Sequence, residues 1–84
     1  MNLYLPKLNV LSGSQVIKIF LLFGFVVLSQ KGSHIKVARY TEFGKQGITI
    51  PNHYELDKGT LKSILNQASK FISENDLFKH FYHK

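Results

Sequence analysis

The chain has no cysteine. That excludes a disulfide framework and thiolate zinc sites, and it fits a reducing compartment. Its first 41 residues contain no acid: Glu42, Glu55, Asp57, Glu74 and Asp76 all follow. A paired-carboxylate site is therefore excluded from that half. No hydrophobic run is long. Ile19 to Leu28 is apolar apart from Gly24, but it is ten residues, and a membrane span needs about 20. Lys18 and Lys31 close the run, and Leu28-Ser29-Gln30-Lys31 makes a poor signal-cleavage site. The expectation is that the run is core and the protein cytoplasmic, with no membrane partner. There is no P-loop, no Gly-x-Ser-x-Gly, no dinucleotide fingerprint, no repeat and no low-complexity segment.

What is present is one domain's worth of chain, 84 residues, with a net charge of +6. A chain of that size can bury roughly 60–65% of its unfolded surface around one modest core. Residues 1–41 carry Lys7, Lys18, Lys31, Lys36 and Arg39, a net +5; residues 42–84 carry six lysines against five acids, a net +1. The first half should present the positive potential, which suits nucleic acid or an acidic protein.

The local signals give an element order. Residues 1–10 have no clear period, and Pro6 disfavours helix, so an extended or loose lead-in is expected. Ser12 and Gln15 fit a capping box. Helix then runs from about Gly13 to Phe23, with Val16, Ile17, Phe20, Leu21 and Phe23 buried and Gly24 ending it. Strands are expected at about 25–30 and 34–40, joined by a tight turn at Gly32. Residues 41–47 read as a polar turn, and Ile48-Thr49-Ile50 as a third strand stopped by Pro51. Ile35, Val37, Ile48 and Ile50 should share the core face; His34, Lys36 and Ala38 should face away. Asp57 can cap a helix at about 58–69, with Leu61, Ile64, Leu65 and Ala68 inward. Ser73 to Asp76 starts a short last helix that buries Leu77, Phe78, Phe81 and Tyr82. The order is α-β-β-β-α plus a C-terminal helix. Short links make the sheet antiparallel, an α+β two-layer fold.

Chemistry centres on Gln30-Lys31-Gly32-Ser33-His34-Ile35-Lys36, a cationic turn between two strands. Imidazole exchanges a proton near neutral pH. RNA carries its own nucleophile, the ribose 2′-OH, so a base beside that hydroxyl and cations on the phosphate suffice for scission without a metal or cofactor. Lys31, Lys36 and the Gly32-Ser33 amides are the candidate phosphate holders. His80 and His83 lack a third ligand and read as a solvated tail near a helix end. His53 reads as an ordinary loop histidine. A module that binds RNA without cutting it, or one that only meets an acidic protein, would share the same basic face.

Several segments resemble one family in sequence and order: Pro6-Lys7-Leu8, Leu11-Ser12-Gly13, Val16-Ile17-Lys18, Gly24-Phe25, Gln30 to His34, Ile50-Pro51-x-His53, Lys58-Gly59-Thr60-Leu61-x-Ser63-Ile64-Leu65 and Gln67-Ala68. Together they resemble the HicA mRNA-interferase toxins over about residues 6–78. The resemblance implies a fold like the double-stranded-RNA-binding domain. It implies metal-independent mRNA cleavage, growth arrest, and inhibition by a HicB antitoxin. It maps the catalytic histidine onto His34 and a Pro-x-His position of open role onto His53. The apolar Leu21-Leu22-Phe23, the segment 41–47 and the His80–Lys84 end depart from the common pattern.

Overall fold

The computed structural model describes residues 5–84, so residues 1–4 of the expected lead-in lie outside the described residues. Eight elements follow in order: β1 (Lys7–Leu8), α1 (Gly13–Leu22), β2 (Val26–Lys31), β3 (His34–Thr41), β4 (Gly44–Pro51), α2 (Lys58–Ala68), α3 (Glu74–Phe81) and β5 (Tyr82–His83). Strands β2, β3 and β4 form an antiparallel sheet in that order. The α-β-β-β-α layout with a last short helix is the expected one.

The helix ends follow the local chemistry. Ser12 accepts from the Gln15 amide, and the Gln15 side chain reaches back to the Ser12 N–H, a complete capping box. Asp57 caps α2 through Thr60, and Ser73 caps α3 through Asp76. Bonding to the Thr60 amide holds the Asp57 carboxyl below the usual carboxylate range.

The core lies between the helices and one face of the sheet. Phe20, Phe25 and Phe81 are its largest buried rings, with Val37, Ile48, Ile50, Leu61 and Ile64. Phe20 meets Phe25 edge-on and Phe81 at a tilt. Ile35, Val37, Ile48 and Ile50 are buried together as expected.

Four expectations change. The run 19–28 is not all core: Ile19, Phe20 and Phe25 are buried, but Leu21, Leu22, Val26, Val27 and Leu28 are exposed. The cause is position. Both α1 and α2 pack on β4, which leaves edge strand β2 largely uncovered. Within α1, Ile19 rather than Leu21 faces the core. Next, residues 41–47 are not one long turn. Thr41 pairs with Gly44, so only Glu42 and Phe43 turn the chain, and β4 is eight residues long. The lead-in is extended, one of its two expected forms, and it is paired: β1 lies antiparallel to β5, and the Asn9 side chain bonds both His80 O and the His83 ring. The C-terminal end is accordingly not a solvated tail; His80 also packs edge-on against Phe23.

Last, Arg39 leaves the surface charge. It sits on the core face of β3, where its guanidinium donates to Phe23 O, Phe71 O and the Gln46 side chain and lies 4.9 Å above Phe25. It joins the end of α1 to the link between α2 and α3. Its charge is used to satisfy backbone carbonyls rather than to meet a partner.

Candidate active site

The turn that presents His34 has two central residues, Gly32 and Ser33, between the paired Lys31 and His34. Gly32 has φ +60° and Ser33 does not share a positive φ. That is the requirement of a two-residue hairpin whose first central position is glycine. The Gln30 side chain donates to Gly32 O and closes the turn. His34 thereby opens β3 with its ring exposed, away from the core, as expected.

A bulge decides which residues accompany it. Val27 pairs with Val37, but Ser29 pairs with Lys36, so Leu28 is the extra residue in β2. One extra residue moves every later side chain to the other face. Ser29 and Lys31 therefore share the open face with Lys36 and His34. Without the bulge Lys31 would turn toward the helices. On the other side Pro51 pairs with His34 and Thr49 with Lys36. The stem of Lys36 lies beside Gly47, 3.8 Å from where a Cβ would stand.

A second layer comes from the loops. The Asn52 N–H donates to Ser33 O at 2.7 Å, tying the histidine turn to the loop after β4. One residue on, His53 O accepts from the Gly13 N–H at 2.8 Å, which ties that loop to the start of α1. The contact admits no side chain: a Cβ on Gly13 would stand 2.0 Å from Pro51 O and 2.8 Å from the Asn52 Cα. His53 itself is exposed.

His34 also lines an open groove of about 480 Å³ with Thr49, Pro51 and the Asp57, Thr60, Ser63 and Gln67 positions at the start and flank of α2. Lys31, Gly32, Ser33, His34 and Lys36 thus come together at one end of the sheet. His53 lies on the adjoining loop. Among the described residues no three His, Asp or Glu side chains gather as a metal set, and no helix is long and apolar enough to cross a membrane.

Sequence reading missed two groups here. Thr60, Ser63 and Gln67 recur at helical spacing on the flank beside Ile64, a polar stripe that could have been flagged. Lys45 joins the open face because β4 begins at Gly44; it was hidden inside the expected turn. Chemically the arrangement can move a proton at one imidazole and hold anionic oxygens on lysines beside it.

Comparison with known proteins agrees with the resemblance. The family model described as HicA toxin of bacterial toxin-antitoxin matches residues 13–69. The match begins at the glycine on which the loop packs and ends just past α2. No curated protein and no solved structure matches the chain.

Proposed function

The chain belongs to the HicA toxin family, and on that premise we propose that it is an mRNA endoribonuclease that acts without a metal, in the cytoplasm, under the control of a HicB-like antitoxin. One observation carries the catalytic part: His34 is exposed at the end of the sheet, whose open face also holds Lys31 of β2 and Lys36 of β3.

In this reading His34 takes the proton from a ribose 2′-OH. The 2′-oxygen bonds to phosphorus, and the bond from phosphorus to the 5′-oxygen breaks. The leaving oxygen takes a proton from a second donor or from the imidazolium after it turns. His53, on the loop held to the Ser33 carbonyl through Asn52, is the other imidazole at this end and the candidate for that donor. Lys31, Lys36 and the Gly32-Ser33 amides neutralise the phosphate as its charge develops.

The test is incubation of purified protein with RNA, with and without chelator, beside the His34→Ala form. Cleavage persists in EDTA. Activity lost in chelator and restored by a divalent ion would replace this mechanism with a metal-assisted one. A module that binds RNA but never cuts it would leave the RNA intact in every lane.

Lys36 gives a separate electrostatic prediction. Each neutralised phosphate of a single strand contributes about 0.7 to the slope of log affinity against log salt. Lys36→Ala in a His34→Ala background flattens the slope by about that amount, to a similar extent for all RNA sequences. Lys70→Ala changes it little, because Lys70 lies just past the end of α2 and off the sheet face. An unchanged slope in Lys36→Ala and a flattened one in Lys70→Ala would move the RNA to the helical side.

A further inference from the structure

The open sheet face continues past the catalytic end. Next to Lys36 come Ala38 and Gly47, paired with each other, and then Tyr40 opposite Lys45. Ala38 is fully covered by its neighbours and the Lys36 stem lies against Gly47, so the surface a strand would meet here is made by the side chains of Lys36, Val26 and Tyr40. Tyr40 stands at its border, 67% exposed, and Phe43 in the adjoining turn is 89% exposed. Single exposed aromatics are ordinary on protein surfaces. Here the ring has company: Lys45 stands across from it and the Lys36 side chain lies along the same face. Within 26–51 Glu42 is the single acid, and it sits in the turn. Aromatic faces between cations are what unpaired nucleotides bind, because every base has a face to stack and every linkage a charge.

We propose that this face is a single-stranded RNA platform. Tyr40 stacks on an unpaired base, Lys36 and Lys45 hold the phosphates beside it, and the strand runs down β3 to His34. Tyr40 is six positions from His34, about 20 Å of strand at roughly 3.3 Å per residue, room for several extended nucleotides. The inference rests on the RNA reading above and narrows its substrate class. In a duplex the base faces are buried in the stack, and recognition falls to phosphates and 2′-hydroxyls; Tyr40 would then have nothing to stack on.

The experiment uses catalytically silent His34→Ala protein, a fluorescent unpaired RNA and a duplex of the same sequence, at fixed salt. The single strand binds more tightly than the duplex. Adding Tyr40→Ala weakens single-strand binding about 5- to 100-fold, the scale of one lost base stack. Tyr40→Phe keeps affinity close to the parent's, since the ring and not the hydroxyl makes the contact. Duplex binding is the same in all three. Circular dichroism confirms folding of the variants, expected because Tyr40 is outside the core.

The platform is overturned if Tyr40→Ala binds the single strand like its parent, or if Tyr40→Phe is as weak as Tyr40→Ala. It is also overturned if the Tyr40→Ala loss appears only toward an acidic protein partner. If the wild type cleaves RNA while Tyr40→Ala leaves binding unchanged, only this inference falls. If the parent binds neither RNA, the RNA reading falls and takes the platform with it.

Discussion

Replacing His34 with alanine lowers RNA cleavage about 10²–10⁴-fold, the scale on which one general acid–base group contributes. The fold survives the change, because His34 is exposed and makes no side-chain hydrogen bond that holds the turn. The turn is closed by Gln30, by the Asn52 amide on Ser33 O and by glycine backbone geometry. RNA affinity should fall far less than rate, since the lysines remain. The measurement is single-turnover cleavage of a defined RNA, with thermal unfolding as the control. A folded His34→Ala protein at full activity would remove His34 from the chemistry. The pH profile separates the roles further. If two imidazoles share the proton transfers, the rate is bell-shaped in pH, and His53→Ala removes one limb while leaving the other. A profile unchanged in His53→Ala returns His53 to a purely structural loop.

The second large effect comes from a residue with no functional group. Gly13→Ala places a methyl where the Pro51 carbonyl and the Asn52 Cα already are. These are backbone atoms, so relief requires the loop or the whole start of α1 to move. Forced overpacking of this kind costs about 1–3 kcal/mol. In a domain of this size 1 kcal/mol shifts Tm by roughly 4–8 °C, so a loss of about 5–20 °C is expected. The displaced loop carries His53 and, through the Asn52 amide, the turn that presents His34. Cleavage should therefore fall even at temperatures where the protein is folded. Ser14→Ala, one residue on, loses only an exposed bond to Ser12 Oγ and meets no backbone; it is the matched control and should lower Tm far less and leave cleavage unchanged. Full stability in Gly13→Ala would mean that the loop and α1 separate easily and do not position the site.

Much of this molecule is readable residue by residue. Capping boxes, turn glycines and 3–4 or alternate spacing act over a few residues, so Ser12, Asp57, Ser73 and Gly32 announce their roles locally. The buried set Ile35, Val37, Ile48 and Ile50 follows from alternation alone. The hairpin tip did not, because Lys45-Gln46-Gly47 has the composition of a turn and becomes strand only by pairing with Ala38-Arg39-Tyr40. The apolar run failed in a different way. Hydrophobicity says that a segment would gain from burial, and whether a layer exists above it is settled by where α1 and α2 come to rest.

What the sequence by itself determined is the element order, the cationic turn around His34 and the family pattern that spans them. These rest on local geometry and on residue chemistry, which travel with the chain. What only the tertiary structure decided is who stands beside His34. A single unpaired Leu28 rotates Lys31 onto the open face, a full-length β4 adds Lys45, and the core takes Arg39 away. Facing, pairing and cover depend on partners distant in the chain, and a side chain's own identity carries no record of them.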